Sequence, residues 1–324
     1  MRRAALSIAA AGSAAALLLV LRRRRDPRHR HLAWVARLMA EGKLPALREE
    51  MFVAVTLALE CGEAIRATTS AKTMWKDAQG IDPVTATDQA NEKLVTDTLK
   101  RRFPSHRVVG EEAAAEGAGV PALTFADPPT WYVDPIDGTQ NFVHAVPISC
   151  VSIGLAMGAV PVLGVIYHPG CDELFVGLAD HGSFLNGTRL QADHGTTALG
   201  EAMVLTDVGY ERSEAGVRKI SGMIARLMGA NVRAVRMIGS TAICLAWVAA
   251  GRASGFYAGL HKRDCPKQWD WCAGHAIVCA AGGVFLRHGA QRELPFDIDC
   301  SGCVCAGSPE LAVTLQREVD AVAR

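Results

Sequence analysis

Asp134 and Asp137 stand three positions apart in the run W-Y-V-D-P-I-D-G-T-Q-N-F, residues 131–142, a spacing suited to a hard divalent cation. Such cations take carboxylate and carbonyl oxygens as ligands and keep water or substrate phosphate in the remaining positions. Pro135 fixes its own φ and biases Val133 and Asp134 toward extended backbone, so the chain leaves a strand and turns sharply about one point. Both carboxylates, and the Ile136 carbonyl between them, can then face one ion. Gly138 permits a close backbone approach, and Thr139 to Asn141 can open a helix whose free N–H groups cradle a phosphate. Asp-Pro-x-Asp alone is an ordinary turn composition. The hydrophobic strand before it and G-T-x-N-F after it set this run apart.

Two further segments carry acids in similar settings. Residues 107–112, R-V-V-G-E-E, read as a short strand delivering Glu111 to a site. Residues 269–274, W-D-W-C-A-G, open an apolar helix that ends at A-G-G, 281–283, with Asp270 at its N-terminus. Four carboxylates meeting without cations would repel one another, and each is costly to bury as a charge. Bound divalent ions resolve that problem and create affinity for a dianionic phosphate.

In this order, Glu111-Glu112, D-P-I-D-G-T-x-N-F and W-D-x-x-A-G resemble the inositol monophosphatase family of Mg2+-dependent, lithium-sensitive phosphatases. V-T-A-T-D, residues 84–88, matches the family's upstream element, and the likeness runs from about residue 47 to 309. The resemblance implies an α+β fold, a layered α-β-α-β-α sandwich, usually as a homodimer. It implies two to three Mg2+ ions per site, one held by Glu111, Asp134 and the Ile136 carbonyl, a second by Asp134, Asp137 and Asp270. It makes Glu111 and Thr139 the residues that orient a metal-activated water for in-line attack, with Asp88 supporting Thr139. Substrate contacts fall to Asp137, Gly138, Thr139, Thr241 and Asp270, with the N–H groups of Gly138 and Thr139 on the phosphate oxygens.

The implied reaction is hydrolysis of myo-inositol monophosphate to inositol and phosphate. The rivals within the class are phosphatases of another sugar or polyol phosphate, of 3'-phosphoadenosine 5'-phosphate, of fructose-1,6-bisphosphate or of histidinol phosphate. G-T-x-N-F favours the inositol branch over the nucleotide branch. A non-catalytic binding module would require a lost metal ligand, and Glu111, Asp134, Asp137 and Asp270 are all present. The leaving-group pocket departs from the family. Its inositol-contacting Glu is replaced by Ala258, the segment 260–268 is longer and basic, and Tyr210 stands where a small residue is common. Asp264 is the residue from which the missing contact can be rebuilt. Ala280, where the family often has Glu, reads as a packing difference. Lys76 reads as a solvated loop lysine, with a phosphate contact as the alternative from its place near the metal strand, Glu112 as a strand-end or supporting charge, and His144 as a structural or rim residue rather than a ligand. Trp269 reads as the seat of the Asp270 helix.

Positioning these groups takes a full core, and half of the 324 residues are hydrophobic. A formal net charge of +1 gives no argument for a nucleic-acid partner. The ten cysteines show no disulfide framework, which fits a reducing compartment. A zinc site at Cys300, Cys303 and Cys305 lacks a fourth ligand at finger-like spacing, and Val304 between the last two fits a core strand.

Periodicity predicts a helix over 47–68 with Leu47, Met51, Val55, Leu59 and Ile65 inward, a polar stretch, then a helix from Asp88 to Arg102 with Thr87 as its cap. Strands follow over 150–156, 160–167, 173–178 and 182–185, with Asn186-Gly187 as a hairpin turn. The second half alternates: strand 202–206, helix 215–228, strand 232–237, helix 240–250, strand 253–257, helix 270–281, strands 283–287 and 302–306. The division is therefore an N-terminal segment, 1–45, and a catalytic part, 46–324, with halves of about 46–195 and 196–324.

Residues 4–21 carry no charge and lie between Arg2-Arg3 and Arg22 to Arg25. This predicts attachment to a membrane with the catalytic part facing the cytosol, since the basic block stays on the cytoplasmic side. The alternative is an organellar presequence (mitochondrion or plastid), since no acid precedes Asp26. A cleaved secretory signal fits poorly, because the most apolar stretch, Leu17 to Leu21, abuts arginine.

Overall fold

The computed structural model describes residues 27–40, 47–68, 73–118, 127–288 and 302–323. The uncharged segment 4–21 and Cys300 lie outside the described residues. No helix among the described residues is long and apolar enough to cross a membrane.

Helices α1 (Pro27–Ala40) and α2 (Arg48–Ala67) come first, then a hairpin of β1 (Thr73–Trp75) and β2 (Pro83–Thr85), then α3 (Ala86–Arg102). Strand β3 (Arg107–Gly110) leads into the short α4 (Glu111–Ala113), and β4 (Thr130–Asp137) into α5 (Thr139–Val143). Strands β5 (Cys150–Met157), β6 (Val160–His168), β7 (Glu173–Leu178), β8 (Gly182–Leu185) and β9 (Thr188–Arg189) complete a seven-stranded sheet in the order β3 to β9. The second half contributes β10 (Met203–Thr206), α6 (Glu214–Gly229), β11 (Ala234–Met237), α7 (Thr241–Ala249), β12 (Gly255–Ala258) and α8 (Gln268–Ala280). It ends with β13 (Val284–Arg287), β14 (Cys303–Ala306) and α9 (Pro309–Ala323), and its five strands pair in the order β11-β10-β12-β14-β13.

Burial sorts these elements into five layers. One face of the large sheet, through Trp131, Val133, Val165 and Val176, packs on Val35, Met51, Leu59 and Leu99 of α1 to α3. Its other face, through Tyr132, Ile166 and Phe175, meets Leu245 of α7 and Trp271 and Ile277 of α8. Those two helices also cover Leu205, Phe256 and Cys305 of the smaller sheet. The far face of that sheet, through Val204, Tyr257 and Val304, packs on Met223 of α6 and Leu315 of α9. The architecture is the expected α-β-α-β-α sandwich of an α+β fold.

Helix α8 is central because glycines let it lie close to the sheet. A Cβ at Gly164 would fall 2.1 Å from the Ala273 carbonyl oxygen, and one at Gly154 would fall 2.6 Å from the Ala273 nitrogen. The hydroxyl of Ser152 donates to the Trp269 carbonyl at 3.1 Å, so Trp269, 8% exposed, does seat the first turn of the Asp270 helix.

Several elements differ from expectation. Thr85 rather than Thr87 caps α3: its hydroxyl accepts from the Thr87 and Asp88 amides while Asp88 Oδ2 accepts the Thr85 amide at 2.9 Å. This is a capping box with Asp88 at the third position. The polar stretch before it contains the β1–β2 hairpin. Helices α1 and α9 have no counterpart in the periodicity reading. Helix α1 buries Trp34 and Val35, at 5% and 0% exposure, in the core of the first half. Cys303 and Cys305 are buried in β14 and belong to the core.

Candidate active site

In a regular strand, residues three apart point to opposite faces. The pairing of β4 with β5 is broken between Asp134 and Asp137, where the register shifts around Pro135 and Ile136. The extra backbone re-aims both acids to one side, as a bulge does. Asp270, on the first turn of α8, reaches the same point from the second half. One carboxylate oxygen from each of Asp134, Asp137 and Asp270 lies within 4.8 Å of the others. The predicted acids of two motifs, more than a hundred residues apart, therefore meet.

Their surroundings favour a cation. Burial drives the Asp134 carboxyl well above the usual carboxylate range, and the charges of Glu111, Asp137 and Asp270 push the same way. Asp270 is raised well above it too, by burial and then by Asp137 and Glu111. Asp137 is pushed up to about 6 by burial, and hydrogen bonds from Ser240 and Ala242 hold it down. Carboxylates clustered in this way ionise less readily than free ones, and a positive charge among them favours the ionised form. An all-oxygen donor set with that need fits Mg2+.

Glu111 stands apart from this close group. Its Oε1 accepts from Lys76 Nζ at 2.9 Å, and Lys76 reaches Glu112 Oε1 at the same distance. Lys76, with its side chain 13% exposed, is thus a buried ion-pair partner and not a solvated loop lysine. Both acidic partners hold its ammonium in the charged form against the cost of burial. Glu112 belongs to the same network and is pushed up to about 8 by burial and by Glu111. Glu92 fixes the turn: its two oxygens accept the Glu112 and Ala113 amides at 2.7 and 2.9 Å. A Cβ at Gly110 would fall 2.4 Å from the Glu92 carboxyl carbon, so a side chain there would push Glu92 off the two amides it holds.

The Gly-Thr loop has the predicted glycine. Gly138 sits at φ +88, and a Cβ there would fall 2.9 Å from the Ile148 oxygen and 3.0 Å from the Gly239 oxygen. Thr139 Oγ1 lies 2.9 Å from the Ile136 carbonyl and 3.3 Å from Asp88 Oδ1. Its one proton serves one acceptor at a time, and donation to Asp88 leaves the Ile136 carbonyl free for a ligand. Asp88 is itself pushed up to about 6 by burial. Asn141 crosses to the other half, donating to the Ile148 and Ile238 carbonyls at 2.8 and 2.7 Å.

Thr241 opens α7 beside this junction and is 9% exposed. The residues around it were not legible as site residues. Ser240 donates to Asp137 Oδ2 at 2.5 Å, and the Ala242 amide donates to the same oxygen at 2.7 Å. Asp207 accepts the Gly239 amide at 2.7 Å and so fixes the turn that presents Ser240. The sequence places Ser240 at the start of a helix and carries no sign of its carboxylate partner. At the pocket mouth, Asp264 gives its Oδ1 to the Gly209 amide at 2.8 Å, which ties two loops together. Ala258 is 2% exposed and offers only a methyl group. His144 is exposed.

Comparison with known proteins agrees with this geometry. Residues 46–323 match the model of the inositol monophosphatase family. The chain is 39% identical over 277 residues to inositol monophosphatase 2 of Homo sapiens, covering 85% of this chain and 92% of that protein. It is 42% identical over 240 residues to inositol monophosphatase 2 of Solanum lycopersicum, covering 74% and 88%. The inositol monophosphatase structure from Anabaena superposes with a TM-score of 0.66 at 27% identity, over 84% of this chain and 96% of that one. The Mycobacterium tuberculosis SuhB structure gives 0.64 at 29% identity, over 85% and 96%. A buried three-carboxylate cluster, a Gly-Thr turn beside it and this degree of likeness lead to one conclusion: the chain belongs to the inositol monophosphatase family and is a phosphatase.

Proposed function

We propose that this enzyme hydrolyses myo-inositol monophosphate to inositol and phosphate with two to three Mg2+ ions held by Glu111, Asp134, the Ile136 carbonyl, Asp137 and Asp270. The observation that carries the reading is the meeting of Asp134, Asp137 and Asp270 oxygens within 4.8 Å of one another. When bound, Mg2+ supplies positive charge for the phosphate dianion and the leaving alkoxide, and it acidifies water.

The chain's own residues orient the reaction. The amides of Gly138 and Thr139 face the phosphate oxygens as charge shifts onto them. The Glu111 carboxylate accepts a proton from the attacking water, and the Thr139 hydroxyl, which keeps its proton in a hydrogen bond to Asp88, accepts a hydrogen bond from that water. Ser240 and Ala242 fix the rotamer of Asp137. Asp137, Thr241 and Asp270 line the side on which the leaving group departs.

Three further features belong to the same reading: inhibition by millimolar lithium, a homodimeric state, and attachment or targeting through residues 4–21. Carbonate extraction and N-terminal sequencing separate a retained anchor from a cleaved presequence. The deciding experiment for the activity is turnover of the purified protein on a panel of phosphate esters with Mg2+ and with EDTA. Mg2+-dependent release of phosphate from inositol 1-phosphate above the other esters is expected. Equal release with EDTA overturns the metal assignment, and preference for another ester overturns the substrate.

A further inference from the structure

Strands β10 and β11 run parallel, and their pairing stops at Thr206 and Met237. One residue on, the Asp207 side chain takes over from the ladder. Its Oδ1 accepts the Gly239 amide at 2.7 Å and the Ile238 amide at 3.3 Å. Its Oδ2 takes the thiol of Cys244, on α7, at 3.6 Å. Gly239 lies at φ +77, in the left-handed region, and the chain turns there into Ser240, the cap of α7.

The turn 238–240 is gripped by one side chain from each half. Asn141 takes its carbonyls, donating from Nδ2 to Ile238 at 2.7 Å and to Gly239 at 3.3 Å. Asp207 takes its amides. A cavity of about 380 Å3 adjoins the turn, with Asp207, Ile238 and Gly239 in its wall beside Val146 and Met237. On that side hydrogen bonds rather than packing hold the turn. The loop that carries Asp207 is fixed in its own right, because the Gly209 amide donates to Asp264 Oδ1. Beyond the turn, Ser240 Oγ donates to Asp137 Oδ2. The Asp207 carboxylate thus reaches a carboxylate of the candidate metal cluster through the Gly239 amide and the Ser240 hydroxyl.

We infer that Asp207 is a positioning residue for Mg2+: by holding the turn 238–240 it keeps Ser240 on Asp137, and it never meets the ion. This rests on the metal assignment made above. An amide deprived of its acceptor finds water or moves. With the cavity alongside, the Gly239 amide can do both, and the Ser240 hydroxyl moves with it. Asp137 then loses the bond that fixes its rotamer, and the ion loses a ligand already in place. Asp207 is on the page as a backbone acceptor, so what it supplies is an oxygen at one position and not a negative charge.

The test reads Mg2+ binding to the whole protein by calorimetry, beside the Mg2+ concentration for half-maximal hydrolysis of inositol 1-phosphate. Asp207→Ala should weaken both by roughly three- to tenfold, less than loss of a partner bonded directly to a ligand. Asp207→Asn, which keeps an oxygen for the Gly239 amide, should stay within about twofold of wild type. Adding Asp207→Ala to Ser240→Ala should weaken binding no further than Ser240→Ala alone, since the first acts through the second. If Asp207→Ala does not fold, Asp207→Ser replaces it, its hydroxyl being too short to reach the Gly239 amide. Wild-type affinity in the alanine or serine variant overturns the inference. So does an asparagine variant as weak as alanine, or a double variant in which the two losses add. A wild-type protein that binds Mg2+ but hydrolyses no ester sinks the phosphatase reading alone, and calorimetry still decides the role of Asp207. A wild-type protein that binds no Mg2+ overturns both.

Discussion

Ser240 Oγ lies 2.5 Å from Asp137 Oδ2, so the cap of a helix in one half holds a carboxylate of the candidate metal cluster in the other. The hydroxyl donates to Asp137 and accepts the Ile243 amide at 3.3 Å, linking the start of α7 to the end of β4. Ser240→Ala removes both bonds and leaves Asp137 with the Ala242 amide and the weak Cys150 thiol contact. The concentration of Mg2+ for half-maximal activity should rise by about tenfold or more, as for other partners that orient a metal ligand. Loss of the cap should also cost about 1 kcal/mol in stability. An Mg2+ titration of activity, read beside a denaturant curve, separates the two effects. Unchanged half-saturation would mean that Ser240 acts only as a cap.

Asp270→Asn should divide catalysis from stability. It removes a charged oxygen from the cluster with Asp134 and Asp137, so Mg2+-dependent turnover should fall to less than about a tenth, a loss above ~1.4 kcal/mol. Asp134→Asn should do the same. In EDTA, however, the asparagine relieves repulsion among buried acids, and the variant should melt higher than the wild-type protein. Retained activity at saturating Mg2+ would remove Asp270 from the ligand set. A lower melting temperature in EDTA would show that the Lys267 amide, which donates to Asp270 at 2.6 Å, outweighs the repulsion.

The acids of the candidate metal cluster were legible because residue type, order and local spacing all survive in the sequence: Asp134 and Asp137 with Pro135 between them, Asp270 behind Trp269. The partners that orient them were not. Ser240 is 103 positions from Asp137, and only the fold brings the two together. Lys76 lies in a hairpin whose strands have three residues each, too short to show alternation. Thr85 was hidden by Thr87, although the T-x-x-D spacing from Thr85 to Asp88 was the true signal of a capping box. Helix α1 is rich in Arg and His and reads as a flank of the uncharged segment, yet Trp34 and Val35 on one side of it are core residues. Helix α9 did carry a signal, with Leu311, Leu315 and Val319 four apart and buried.

Truncation gives that N-terminal helix a measurable worth. A Cβ at Gly187 would fall 3.0 Å from the Trp34 ring, so the indole lies directly over the β8–β9 turn. His31 Nε2 and Tyr167 also bond to Asp172, at 2.7 and 2.8 Å. Protein starting at residue 26 should keep full activity, since no catalytic residue is removed. Protein starting at residue 46 loses the burial of Trp34 and Val35, roughly 3–6 kcal/mol. Its urea midpoint should fall accordingly. Equal midpoints for the two forms would show that α1 adds nothing to the folded state.

Stability in the absence of metal should depend on pH in a direction set by the same cluster. Asp137 titrates at about 6 in the folded protein, above its ordinary value of 3.8. Asp134 and Asp270 are raised further by burial and by their neighbours. A carboxyl whose folded pKa is raised favours the folded state while protonated, and that contribution is lost as pH climbs from 3.8 through the folded value. In EDTA the cluster should therefore weaken the protein progressively as pH climbs from 3.8 through about 6. Mg2+ reverses the sign, because it binds the ionised form and adds stability by mass action. The rise in melting temperature on adding saturating Mg2+ should thus be small near pH 5 and grow toward pH 8. His31, whose pKa burial lowers from 6.5, acts oppositely, since its contribution is lost as pH falls below that value. Its effect is common to the EDTA and Mg2+ curves, so it cancels from their difference. An Mg2+-induced shift that stays constant across this range would mean that the three carboxylates are ionised before the metal arrives.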